Sequence, residues 1–204
     1  MILKKFFQTF EFRRKVFHFV LGLALVFFIN SNNYIVNNYL VQSIIIALIC
    51  SVILSQFTKF RKPKLILRFL RLFDKPKDLV KFPGKGAVYY LIGVLIAVLL
   101  FEKNITLASI TILAVGDPAA FFIGKYYGNK RLVFNKNKVL EGTLAGTFLG
   151  TIGASFFVPI PIAFFGAAFG MIAETIEFEI FKLDDNFFIP FVSGAVMTLL
   201  IMLL

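Results

Sequence analysis

The fold class this sequence predicts is all-α and polytopic in a membrane, and three observations predict it. Hydrophobic residues make up 59% of the 204 positions and mean hydropathy is +0.86, more than a soluble core requires. Apolar stretches of about membrane-crossing length recur seven times along the chain. Basic residues gather on alternate connections between those stretches, as orientation in a bilayer demands.

The first stretch, about Val16–Ile29, follows Lys4, Lys5, Arg13, Arg14 and Lys15. No small-residue cleavage site follows Phe28-Ile29-Asn30, so it reads as a retained helix and not as a signal peptide. The second, Tyr39–Phe57, holds Cys50, the single cysteine, whose apolar surroundings predict a small packed core thiol. Residues 58–83 form a basic connection in which Arg61, Lys64, Arg68, Arg71 and Lys75 recur at spacings of three and four. Leu65, Ile66, Leu67, Phe69, Leu70, Leu72 and Phe73 take the other positions. That pattern predicts an amphipathic helix in the headgroup plane, its cations toward anionic lipid. The third and fourth spans are Gly86–Phe101 and Ile105–Ile123. The fifth, Leu144–Val158, carries with its entrance the seam Gly142, Gly146, Gly150 and Gly153, which suits helix packing. Ile162–Glu177 and Phe187–Leu204 complete the set, and residues 1–204 read as a single membrane-embedded domain.

Of the 22 lysines and arginines, 21 lie on the connections that alternate with Asn30–Asn38, Glu102–Asn104 and Pro159–Pro161; only Lys103 falls on the latter. The N-terminus is therefore expected in the cytoplasm and the C-terminus outside. The formal charge of +11 is accounted for by topology. No soluble basic face is left for nucleic acid.

Within the fourth span an aspartate interrupts the apolar run at Gly116-Asp117-Pro118. A carboxylate at membrane depth costs about 2.5–3.5 kcal/mol at a helix centre, so a cation or a basic side chain is expected beside it. Pro118 removes one helical hydrogen bond and crowds the carbonyl of Ala114, which predicts a kink or a stop. Ten of the eleven acids fall on the cytoplasmic side, Glu102 being the exception. Lys138 and Glu141 open the fifth span, Glu174 and Glu177 close the sixth, and Asp184, Asp185 and Asn186 open the seventh. His18 and Lys85 sit just inside the first and third. Carboxylates beside lysines and glycines at a membrane surface match a magnesium-nucleotide site. Mg²⁺ takes oxygen ligands, usually one or two carboxylates with substrate phosphates, and phosphoryl transfer otherwise depends on positioning and charge cancellation.

These residues resemble the family of CTP-dependent lipid kinases that includes dolichol kinase, phytol kinase and the CTP-dependent diacylglycerol kinase. The likeness runs through Arg14-Lys15-Val-Phe-His18, Lys85-Gly86, Gly116-Asp117-Pro-Ala-Ala120-Phe-Phe-Ile-Gly124-Lys125-Tyr-Tyr-Gly128, Lys138-Val-Leu-Glu141-Gly142-Thr143, Glu174 and Asp184-Asp185-Asn186. It implies an integral membrane enzyme moving the γ-phosphate of CTP, with Mg²⁺ or another divalent cation, onto the hydroxyl of a polyprenol or dolichol-like lipid alcohol. In that reading Asp117, Glu141 and Asp185 are metal ligands and, with Asn186, the catalytic set. Lys85, Gly124, Lys125, Gly128, Lys138 and Gly142 bind nucleotide phosphates, and His18, Glu174, Glu177 and Asp184 form the site rim. Phosphatidate cytidylyltransferases share an Asp-x-x-Ala-x-x-x-Gly stretch and a Lys-x-x-Glu-Gly element. The chain departs from the common pattern at Val139, where a small hydroxyl residue is usual, and its Asp-Asp-Asn differs from a cytidylyltransferase-like Asp-Arg-x-Asp. Two alternatives stand beside the kinase reading: a CDP-lipid synthase, and a non-enzymatic transporter or scaffold. Membrane lipids are expected neighbours, and the glycine-rich fifth and sixth spans could pack within one chain or across a homodimer.

Overall fold

A computed structural model describes residues 10–31, 39–133, 135–176 and 185–203, and these residues are helical throughout their ordered elements. In chain order the helices are α1 (Phe10–Ser31), α2 (Tyr39–Arg61), α3 (Lys64–Phe73), α4 (Pro76–Lys81), α5 (Lys85–Leu100), α6 (Lys103–Thr111), α7 (Asp117–Tyr127), α8 (Leu140–Ala154), α9 (Ile160–Thr175) and α10 (Asp185–Leu203). Residues Ile112–Gly116 form a π-helical turn that joins α6 to α7 without a break.

That joined helix, Lys103–Tyr127, is the centre of the molecule. Its apolar window is 72% buried, against 17% for α2 on the outside. Every residue from Ile105 to Thr111 is buried, and α1, α5, α8, α9 and α10 all pack on this rod or its π turn. Its polar residues bond to backbone carbonyls: the Thr106 hydroxyl donates to the Ala97 carbonyl of α5 at 3.0 Å and that of Ser109 to the Thr106 carbonyl at 2.9 Å. Buried hydroxyls satisfied in this way cost little at a tight helix crossing.

The expected stop at Pro118 does not occur: helical residues continue through the π turn to Tyr127, and the wider turn before Asp117 accommodates the proline's missing donor and its ring. Asp117 thus stands ten residues short of the helix end, about 15 Å along the axis, and not at the end of the span.

Small residues set how closely α8 approaches the rod. A Cβ on Gly146 would meet the Gly116 carbonyl oxygen at 2.8 Å, and one on Gly142 would meet the Ala120 oxygen at 2.7 Å. The glycine seam is therefore a backbone-to-backbone contact.

Among the described residues, three helices are long and apolar enough to cross a membrane: Tyr39–Arg61, Lys103–Tyr127 and Asp185–Leu203. Lys85–Leu100 and Ile160–Thr175 are apolar but shorter, and α8, at 15 residues, spans about 22 Å. The basic connection is two helices and not one. Pro76 starts α4 with its fixed φ after a break at Asp74 and Lys75, and Asp74 accepts the Gly84 N–H at 2.5 Å. Helix α3 packs across α1, where Arg13 Nε donates to the Leu72 carbonyl at 3.1 Å. Cys50 is exposed on the outer face of α2, contrary to the packed thiol expected. Only Leu40, Ile44, Ser55 and Thr58 of that helix are buried, so its interior stripe is narrow and Cys50 lies off it.

Candidate functional site

Three helices deliver three carboxylates to one place. Asp117 opens α7 directly after the π turn, Glu174 lies in the last turn of α9, and Asp185 opens α10. One carboxylate oxygen from each lies within 4.8 Å of the other two. Asp117 and Glu174 are buried while Asp185 is half-buried, so the group is closed on the protein side.

The basic side chain expected beside Asp117 is Lys15 of α1, 102 residues earlier, whose ammonium donates to Asp117 Oδ1 with both groups buried. The second carboxylate oxygen, Oδ2, is buried and has no hydrogen-bond partner. An unmatched carboxylate oxygen in such a place is costly.

Lys138 reaches Glu174 by a different construction. Residues 128–139 turn back on themselves: the Leu132 N–H donates to the Lys138 carbonyl at 3.0 Å and the Leu140 N–H to the Lys130 carbonyl at 2.9 Å. Asn135, buried inside this turn, donates from Nδ2 to the Thr175 carbonyl at 3.0 Å and accepts the Asn137 N–H at 3.0 Å. The loop is thereby fastened to the end of α9, and Lys138 donates to Glu174 Oε1. Burial works against the Lys138 charge, but Glu174 first, then Asp185 and Asp117, outweigh it and hold its pKa above the ordinary 10.5. Asn135 was no candidate from sequence, since an asparagine in a basic loop carries no pattern of its own.

The other predicted residues fall in three places. His18, buried on α1, has its ring 5.3 Å from that of Tyr90 and its Nδ1 unpartnered, and it packs beside Gly86. Asn186 is buried and donates to the Gly86 carbonyl at 3.3 Å, and Lys85 lies 5.2 Å over the Tyr89 ring. Gly124, Gly128 and Gly142 are packed: a Cβ on either of the first two would strike Val139 Cγ2, at 2.9 and 2.5 Å, and Gly142 lies against Gly124. Lys125 pairs with Glu11 at 3.2 Å and covers the Phe121 ring at 5.1 Å. Glu141 accepts the Lys130 N–H at 3.1 and 3.2 Å with its two oxygens. Glu177 and Asp184 lie outside the described residues. The structure therefore gathers Asp117, Asp185 and Lys138 with the rim candidate Glu174, and leaves Glu141 and Lys125 engaged outside that group.

An all-oxygen donor set of three carboxylates, one with an unmatched buried oxygen, fits a hard divalent cation. The two lysines leave the set one net negative charge.

Over 92% of its length the chain is 26% identical to the CTP-dependent diacylglycerol kinase 1 of Eremothecium gossypii, and it spans 66% of that protein, just under two thirds. Over 94% of its length it is 27% identical to the CTP-dependent diacylglycerol kinase 1 of Saccharomyces cerevisiae, spanning 73% of it. The chain is thus similar to CTP-dependent lipid kinases along nearly its whole length. A chloroplastic farnesol kinase of Arabidopsis thaliana adds a likeness of 30% identity over 45% of the chain and 29% of the plant protein. With 92% of the chain aligned to a lipid kinase, the segments bearing Asp117, Lys138 and Glu174 all lie inside the likeness. No family model and no solved structure matches the chain.

Proposed function

We propose that residues 1–204 form one membrane-embedded lipid kinase domain that moves the γ-phosphate of CTP onto the hydroxyl of a membrane lipid. The observation that carries this reading is the convergence of Asp117, Glu174 and Asp185 within 4.8 Å, with Lys15 and Lys138 bonded to two of them. Asp117, Glu174 and Asp185 would hold Mg²⁺, whose chemistry there is to neutralise charge on the donor's phosphates. Lys138, held charged on a turn fastened to α9, would bind phosphate oxygens of the donor. Lys15 supplies Asp117 with its counterion in a buried setting. Asp185, the least buried of the three acids, is the one placed to meet the acceptor hydroxyl and take its proton.

Diacylglycerol is the first acceptor to assay, because the likeness that covers nearly the whole chain is to diacylglycerol kinases. Farnesol, phytol and a polyprenol follow. We propose the seven-span embedding with the site facing the cytoplasm, since the acids and the basic connections share one side of the charge pattern.

The test is purified protein in detergent with each lipid and CTP labelled at either the γ- or the α-phosphate. Transfer of γ-label to lipid, lost by about 100-fold or more in Asp117→Asn, Glu174→Gln and Lys138→Ala while helical content is kept, is the expected result. Entry of α-label instead rejects the kinase reading in favour of a CDP-lipid synthase.

A further inference from the structure

A cavity of about 530 Å³ lies where the end of α2 meets α3 and α4, and its lining includes no residue of the carboxylate group. Cations from three positions surround it: Lys59 and Lys62 at the end of α2 and Arg71 on α3. No acid lines it, and among the described residues none of these cations forms an ion pair. The Thr58 hydroxyl, on a residue only 1% exposed that also lines the cavity, has no hydrogen-bond partner. The remaining wall is apolar, with Phe60 and Val80 at 77% and 75% exposure continuing it outward onto the surface.

Lys62 adds an independent mark. Its φ is +49°, the single positive value among the described non-glycine residues, and it precedes Pro63, a position that favours extended backbone. A side chain held in this costly conformation needs a reason, and here the corner places an ammonium on the cavity. Because α3, which forms one wall, packs on α1 beside Arg13, the cavity lies at the same end of the bundle as Lys15 and Asp117.

We infer that this cavity binds one anionic phospholipid of the surrounding bilayer, its phosphate on Lys59, Lys62 and Arg71 with Thr58 as a further donor, its acyl chain along Phe60 and Val80. The volume suits a headgroup with the first part of a chain, and the combination of cations beside exposed apolar side chains selects a charged lipid over a soluble anion. The inference is independent of the phosphoryl-transfer reading.

The chain contains no tryptophan, so Phe60→Trp supplies a single indole, excited selectively over the tyrosines, at the cavity mouth. In nanodiscs of phosphatidylcholine carrying a minor fraction of brominated lipid, brominated phosphatidylglycerol is expected to quench that indole more than brominated phosphatidylcholine at the same fraction. Lys62→Gly and Arg71→Gln in the Phe60→Trp background should each require about fivefold more phosphatidylglycerol for half-quenching. Lys62→Gly should at the same time keep or raise the melting temperature, since glycine accepts the positive φ, which separates lost binding from lost folding. Equal quenching by the two lipids, or unchanged half-quenching in both variants, overturns the inference. Relief of quenching by inorganic phosphate or CTP at millimolar concentration also overturns it and marks a soluble-anion site.

Discussion

The buried pair Lys15–Asp117 sets the energetics of the site one side chain at a time. Lys15→Met leaves a carboxylate buried without its counterion and should cost about 3–5 kcal/mol, read as a lowered melting temperature in detergent, whereas Lys15→Met with Asp117→Leu should recover most of it. A second titratable group acts in the basic connection. Burial lifts the Asp74 carboxyl above its ordinary 3.8, against the Gly84 N–H bond and Arg14, with Asp78 adding to the rise. Because the folded-state value lies above the unfolded one, its stabilising contribution is complete below the unfolded pKa and is lost as pH rises through the folded value. Melting temperatures taken from pH 3.8 upward should therefore fall more steeply in the native protein than in Asp74→Asn; parallel curves would reject this. Asp117 was legible in the sequence because its apolar neighbours make any charge conspicuous. Lys15 stood among five cations that topology already explained. Glu174 and Glu141 could not be ranked, since each lies near a helix end and only the direction of the helix axis decides which faces Asp117.

At the scale of elements, the π turn and the glycine seam fix where the acids point. Deleting Val115 removes the extra residue of the turn, so that Pro118 meets a regular α-helical carbonyl four residues before it and the rod breaks or kinks at Asp117. The expected outcome is loss of γ-phosphate transfer with helical circular dichroism retained, and persistent activity would show the turn to be incidental. Gly142→Val puts a branched side chain where a Cβ already comes within 2.7 Å of the Ala120 oxygen, and should destabilise by about 1–3 kcal/mol in thermal melts. Hydropathy located each of the helices α1, α2, α5, α8, α9 and α10 to within a few residues, because lipid-facing and core-facing positions are both apolar. For the same reason it misplaced Cys50: a helix that is apolar all round does not reveal its inner stripe. The π turn left no trace in the pattern, since one inserted residue among uniformly apolar neighbours changes no period that can be seen.

For the whole molecule, the decisive quantity is how the short helices sit in a bilayer of about 30 Å apolar thickness. With a single cysteine in the chain, a Cys50→Ser background allows probes to be placed one at a time. Lys77→Cys and Asn129→Cys should react with a membrane-impermeant maleimide only from the cytoplasmic side and Lys103→Cys only from the other. Labelling of Lys77→Cys and Lys103→Cys from the same side would reject the seven-span arrangement. The charge pattern predicts this topology but carries no signal for the assembly of the site, because the groups that meet there come from residues 15, 117, 138, 174 and 185. That dispersion bears on biosynthesis. A nascent chain halted after its fourth hydrophobic stretch already holds both Lys15 and Asp117 and can enter the bilayer with that acid neutralised, yet it lacks Glu174 and Asp185. On the kinase reading, competence would arrive only once α10 has left the ribosome, and products halted before it should be inserted but inert.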